Sequence, residues 1–192
     1  MFHRFFIAIM LLISFPNFVL SASLNDDGLH TKPWFVESFL ELADDVATAA
    51  EQNKRVAIII EQRGCIYCKK LHEEVLSLDQ VRDAITRDYV MIQLNMFGDK
   101  EVLDLDGQTG PEKEMVRKWG TLFTPTIIFL PAMDELRDDR HLQAQAKAIM
   151  PGAFSKGMVL DMFQWVHDRG YNGEEPFQKY HARMIAERRA AK

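Results

Sequence analysis

Between Arg55 and Glu61 the chain carries a continuous apolar run, Val56-Ala57-Ile58-Ile59-Ile60. A strand with one wet face alternates apolar and polar residues; an unbroken β-branched run predicts a central strand covered on both faces. Ahead of it, residues 34–52 place Phe35, Phe39, Leu42 and Val46 at three- and four-residue spacing, which predicts a helix. Gln62-Arg63-Gly64 breaks the strand, and from Cys65 the period becomes helical, with Cys68, Leu71 and Val75 on one face. A second short helix is predicted over Asp79–Asp88 and a strand over Tyr89–Asn95. Residues 96–110 are polar and turn-rich, with Val102 and Leu105 marking a small hairpin. Residues 111–119 open with proline and nearby glutamates and stop at Gly120, the signature of a helix. Thr124-Pro125-Thr126 leads into the strand Ile127-Ile128-Phe129-Leu130; residues 131–145 read as loop, 146–150 as an edge strand, and 156–169 and 176–191 as helices. Strands alternating with helices predict an α/β fold around one sheet.

Two segments fall outside this alternation. Residues 23–33 are polar, contain Asn25-Asp26-Asp27-Gly28 and end at Pro33, and read as a linker. The first 22 residues read as an export signal: His3 and Arg4, an apolar or small run over 5–15, then Ser21 and Ala22 as small residues at a cleavage site. The apolar stretch is short against the roughly 20 residues of a membrane span, and an uncleaved anchor is the alternative. The expected division is signal 1–22, linker 23–33, domain 34–170 and helical extension 171–192.

Composition adds an exclusion. A formal charge of −5, with basic residues gathered only in the last ten positions, disfavours nucleic acid as a partner. No glycine-rich phosphate loop, G-x-S-x-G or H-E-x-x-H is present.

Both cysteines of the chain lie in Cys65-Ile66-Tyr67-Cys68. A disulfide scaffold would spread more cysteines along the chain, and structural zinc would want four ligands. Closing so small a loop constrains little, so the pair reads as redox chemistry. A helix N-terminus offers partial positive charge and free N–H groups, which favour a thiolate. Cys65, first in the motif, is the expected attacking thiol, with a pKa below the free value of ~8.5. Cys68, one turn in, is the expected resolving thiol. Ile66 and Tyr67 tune the potential and are candidate substrate contacts. Lys69 and Lys70 either add positive potential or form a solvated face. His72 either raises thiolate character, completes a metal site or sits at the surface or core edge.

The strand over Val56 to Ile60, the turn Gly64-Cys65-Ile66-Tyr67-Cys68-Lys69 and Thr124-Pro125-Thr126 before a strand resemble, in order and spacing, the thioredoxin superfamily over roughly residues 34–169. The resemblance implies a thioredoxin-like fold, a central mixed sheet flanked by helices, here with an extra C-terminal helix. It implies that Pro125 is cis and shapes a groove beside the dithiol, and that the Thr124 backbone pairs with a substrate chain. Within the superfamily the chain is most similar to exported thioredoxins of the SoxW type, by Glu61 four residues before Cys65, by Tyr67, and by Gly170-Tyr171 followed by Phe177-x-x-Tyr180.

Three departures bear on mechanism. The middle dipeptide is not Gly-Pro, Gly64 stands where thioredoxin has tryptophan, and the position of thioredoxin's buried acid is Ile59. Glu61 lies two residues on, hence on the same strand face. It either takes over proton transfer with Cys68 or is an exposed strand-end carboxylate.

The expected activity is reduction of disulfides on periplasmic partners. No cofactor or resident metal is expected, the chain is expected to be monomeric, and electrons come from a membrane donor, as the resemblance implies. The alternatives are a disulfide oxidase or isomerase, and a copper- or zinc-binding module on Cys65 and Cys68, zinc needing a third ligand such as His72.

Overall fold

The computed structural model describes residues 23–191, so the expected export signal lies outside the described residues. Among the described residues no helix is long and apolar enough to cross a membrane.

Strand β3 (Arg55–Glu61) is buried along its whole length, as its apolar run requires. It pairs in parallel with β4 (Tyr89–Asn95) and antiparallel with β7 (Thr126–Phe129), and β7 pairs antiparallel with the edge strand β8 (Ala148–Pro151). The order β4-β3-β7-β8 makes a mixed four-stranded sheet. Alternation along β3 then decides which layer each side chain joins. Val56, Ile58 and Ile60 enter the core formed with α1 (Leu42–Glu51) and α4 (Glu112–Lys118), where Val46, Val116 and Trp119 are buried. Ala57 and Ile59 face the other layer, made by α2 (Ile66–Glu74), α3 (Asp79–Asp88) and α6 (Lys156–His167) through Leu71, Ile85, Val159 and Phe163. Glu61 shares the parity of Ile59, so its carboxylate is delivered to the underside of α2.

The predicted helix over 34–52 begins only at Leu42. Leu40 takes a left-handed backbone (φ 61), and its carbonyl accepts from the Leu103 N–H of β5 (Glu101–Leu103). Pairing with a neighbouring strand thus overrides the helical period, and Phe39 is left fully in solvent. The expected linker 23–33 is also ordered. Its two ends form a short antiparallel hairpin, β1 (Ser23–Leu24) with β2 (His30–Thr31), and Leu29 and Lys32 are buried. The local polarity is that of a tight turn: Asn25 Oδ1 accepts from the Leu29 N–H at 2.9 Å, and Gly28 has φ +74. β5 pairs with β6 (Thr109–Pro111), giving the predicted small hairpin. The segment expected as loop, 131–145, includes a one-turn helix α5 (Leu142–Gln145) tied down by Asp104, which accepts from the Leu142 N–H at 2.9 Å.

The C-terminal helix α7 (Phe177–Ala190) has no fully buried residue. Its docking rests on Phe177 edge-on to Trp165 and on Asp161 of α6, which accepts from Arg188 at 2.6 and 2.8 Å and faces His181 Nδ1 at 2.5 Å. Upstream, Tyr171 donates to Glu135 at 2.7 Å and accepts from Arg55 at 3.0 Å, anchoring the start of the extension at the end of β3 away from the cysteines.

Burial pushes the Asp161 carboxyl up, but the hydrogen bonds and charges of Arg188 and His181 outweigh it and hold the folded value below the usual carboxylate range. A depressed acid contributes stability above its unfolded pKa and loses it as pH falls through the folded one. Acidification below about pH 4 is therefore expected to release α7 before the sheet core melts. Asp161→Asn should do the same at neutral pH, at a cost of about 1–3 kcal/mol for charge-assisted bonds. Faster trypsin cleavage at Lys179 and Arg183, with the melting of the core little changed, is the readout; unchanged cleavage rates refute it.

Candidate active site

At the end of β3 the chain must turn sharply to start α2, and Gly64 makes that turn with φ +74, a region where a Cβ is strained. Cys65 follows as the N-cap of α2, and the Cys68 N–H donates to its sulfur at 3.0 Å. Cys65 and Cys68 are joined as a disulfide with Cα atoms 5.2 Å apart. Cys65 retains 7% exposure and Cys68 none. Cys65 thus keeps a small exposed area over a helix N-terminus and Cys68 none, an arrangement in which Cys65 is the cysteine that can meet a large partner.

Thr124 and Pro125 lie against this pair. The Thr124–Pro125 peptide is cis, as the resemblance implies. The Thr124 carbonyl oxygen is 3.5 Å and its Oγ1 3.4 Å from Cys65 Sγ. Ile66 and Tyr67 project into solvent, as do Leu122 and Phe123 just before Thr124. Exposed Phe97, after β4, shares a shallow groove with Leu122, Met96 and Val116. Leu122, Phe123 and Phe97 were not singled out from sequence; an apolar pair placed in a loop beside Thr124-Pro125 was the available signal. Lys69 and Lys70 stand on the wet face of α2, paired loosely with Glu73 and Glu74 at 3.9 Å.

Glu61 and His72 correct two expectations. Neither is at the surface: both side chains have no exposure, so Glu61 is no strand-end carboxylate in water and His72 is no core-edge residue. His72 Nε2 lies 3.1 Å from each Glu61 oxygen. Gln93 of β4 completes the group. Its Nε2 donates to Glu61 Oε2 at 2.5 Å and to the His30 carbonyl at 2.6 Å, while its Oε1 accepts from Asn25 at 3.2 Å. The ring of His30 lies 5.9 Å from that of His72, and Phe35 sits edge-on to it at 5.6 Å. Burial, then the His72 charge, lower the pKa of His30, with Glu61 opposing. A cluster of Glu61, His72, Gln93 and the β1–β2 hairpin therefore fills the space beneath α2. Gln93 was legible in principle: it pairs with Ile59 in register and is the polar residue at an inward position of β4. His30 was hidden in a segment read as linker.

Among the described residues no group of three His, Cys, Asp or Glu side chains is arranged to hold a metal ion. His72, the proposed third ligand of the metal alternative, turns its Nε2 to Glu61 instead.

The profile of the thioredoxin-like domain family matches residues 42–138. Among solved structures, a thioredoxin-fold protein from Helicobacter pylori superposes with a TM-score of 0.53 at 16% identity, covering 70% of this chain and 81% of that one. A thioredoxin from Thermus thermophilus gives 0.50 at 17% identity over 68% of this chain and 86% of that one. These are likenesses of fold. No curated protein sequence matches.

Removing one member of the buried, hydrogen-bonded Glu61–His72 pair strands the other, at about 1–3 kcal/mol, whereas replacing both with apolar residues of similar shape restores much of the loss. Glu61→Leu and His72→Leu are each expected to lower the denaturation midpoint sharply. Their combination is expected to be more stable than the sum of the two losses by about 1–3 kcal/mol. Strict additivity in a double-mutant cycle would show that the two side chains do not interact.

Proposed function

This chain belongs to the thioredoxin-like domain family, and from that premise we propose that this thiol–disulfide oxidoreductase works as an exported protein-disulfide reductase of the SoxW type. The observation that carries the reading is the placement of Cys65: the N-cap of α2, slightly exposed, with the Thr124 backbone beside it and Cys68 fully buried behind. A reduced Cys65 there is stabilised as thiolate by the Cys68 N–H and the helix field. It attacks one sulfur of a partner disulfide, forming a mixed disulfide and releasing the other partner sulfur as thiolate. Cys68 then attacks Cys65, the Cys65–Cys68 bond forms, and the partner leaves reduced.

Ile66, Tyr67, Thr124 and Pro125 form the contact surface of the partner chain. The exposed apolar residues Phe97, Leu122 and Phe123 extend it, a surface suited to an unfolded or extended segment around the disulfide. The SoxW-type reading is supported by Glu61 four residues before Cys65, by Tyr67, and by the tail Gly170-Tyr171 and Phe177-x-x-Tyr180. Tyr171 and Phe177 fasten the C-terminal extension and do not reach the cysteines, so this part of the likeness concerns architecture. Export to a periplasm, supported by residues 1–22, places the clients and a membrane electron donor outside the cytoplasm.

Cys68→Ala should leave Cys65 able to attack and unable to resolve. Expressed with its signal, the variant is expected to accumulate clients as mixed disulfides in the exported fraction, dissolved by reductant. No adducts from a well-expressed trap would sink the reading. Equilibration with glutathione measures direction: a reductase is expected near the roughly −270 mV of thioredoxin, while a value above about −180 mV would reassign the protein as an oxidase or isomerase. Stoichiometric metal on the purified protein would assign the cysteines to binding.

A further inference from the structure

We propose that His72, backed by Glu61, is the proton acceptor for Cys68 when the mixed disulfide is resolved. The inference deepens the oxidoreductase reading and rests on it.

The step requires an acceptor. Cys68 has no exposure, so solvent cannot take its proton directly. The position of the usual buried acid is Ile59, which carries no ionisable group and lies in the apolar layer. His72 stands four residues after Cys68 on α2, and both are on the buried face. Residues so spaced on a helix are neighbours, with Cβ atoms about 5–6 Å apart.

The tautomer follows from the partners. Gln93 donates to Glu61 Oε2, and His72 Nε2 lies 3.1 Å from both carboxyl oxygens, which are acceptors. His72 Nε2 then donates to the carboxylate, leaving Nδ1 as the free acceptor of the ring. That atom is buried and has no hydrogen-bond partner among the described residues. The Nδ1 atoms of His30, His141 and His167 are buried without a partner as well, and that of His72 is set apart by its place one turn after Cys68 on the buried face of α2. The order thiol, imidazole, carboxylate is the nucleophile–base–orienter logic of activated nucleophiles.

Written out, the proton on Cys68 Sγ passes to His72 Nδ1, and the thiolate attacks Cys65 Sγ. The Cys65–Cys68 bond forms, the bond from Cys65 to the partner sulfur breaks, and that sulfur leaves with the electron pair. The dithiol is oxidised by two electrons and the partner disulfide is reduced by two. The imidazolium is held against Glu61 and returns its proton to Cys68 when the disulfide is next reduced. The charged and titratable groups around the pair are Glu61 on β3, His30 and Lys32 from the N-terminal segment, and Lys69 and Glu73 on α2. Gln93 and the His30 carbonyl close the side facing β4, and Phe35 covers the ring.

The test uses the fully reduced protein and an aromatic disulfide, dithiobis-nitrobenzoate, whose release is coloured. The first equivalent released reports attack by Cys65 and grows with probe concentration. The second reports resolution by Cys68 and does not. Across about pH 7 to 8.5 the second rate is expected to stay level in the parent protein. In His72→Gln it should fall at least about tenfold at pH 7 and climb with pH toward the ~8.5 of a free thiol, in line with what general bases contribute. Glu61→Gln, which keeps the shape and the hydrogen bond, should fall less and in the same direction. His72→Asn provides a second variant should His72→Gln not fold. Both phases falling by one factor at every pH would mean a packing role, and a second phase matching the parent would mean none; either overturns the inference. A parent that releases fewer than two equivalents sinks the dithiol reading itself.

Discussion

A carboxylate with no access to water sits at the end of the central strand, and much of the surrounding structure serves to make that tolerable. A carboxylate buried so completely is costly unless donors reach it. Three parts of the chain converge for this. α2 brings His72, β4 brings Gln93, and the N-terminal hairpin fixes Gln93 from behind through the His30 carbonyl and Asn25. Each of those contacts is long-range in sequence except that from α2. The cluster therefore ties the hairpin, the sheet and the helix that carries both cysteines into one unit.

This arrangement couples the sheet to the dithiol through α2. The N-terminus of the helix carries the slightly exposed Cys65, and its buried face carries Cys68 and then His72. Leu71 in the core and His72 on Glu61 lie on the same buried face of α2, so packing and hydrogen bonding hold one orientation of the helix. The apolar side chains outside, Ile66 and Tyr67 on the helix and Leu122 and Phe123 on the neighbouring loop, stay exposed on that fixed platform. A binding surface on rigid elements loses less order when a partner docks.

What was legible in the sequence was what one period or one motif decides. Arg55–Glu61, Asp79–Asp88 and Tyr89–Asn95 match the observed elements end to end, because apolar runs and turns mark both boundaries. The dithiol at the strand-to-helix switch and Thr124-Pro125 were visible for the same reason. What failed was decided by contacts between distant segments. Phe35 and Phe39 continue the period of α1, yet Leu40 pairs with Leu103 and the helix starts late. Asn25 to Gly28 has the composition of a linker, yet its turn docks by Arg63, which donates to the Asp27 carbonyl at 3.1 Å. The burial of His72 could not be read from α2 alone, because its neighbours Lys69, Lys70, Glu73 and Glu74 are those of a wet helix. Only the parity of Glu61 on β3 pointed beneath it.

That parity also explains how an acid moved along the strand could keep its part in the chemistry. Two residues along a strand preserve the face and advance the side chain by about 6.6 Å. From Ile59 to Glu61 the carboxylate therefore stays under α2 and leaves the apolar interior for the rim, where Gln93 and the hairpin supply donors. There Glu61 accepts from Gln93 and faces His72, whereas Ile59 belongs to the apolar layer with Leu71 and Ile127. On our proposal the His72 ring stands between the resolving thiol and the carboxylate, so the charge lies one group further back than an acid at position 59 would place it. Proton transfer from Cys68 then forms the imidazolium beside a carboxylate it already meets at 3.1 Å, so the new positive charge is paired as it appears, and the thiolate is consumed by its attack on Cys65.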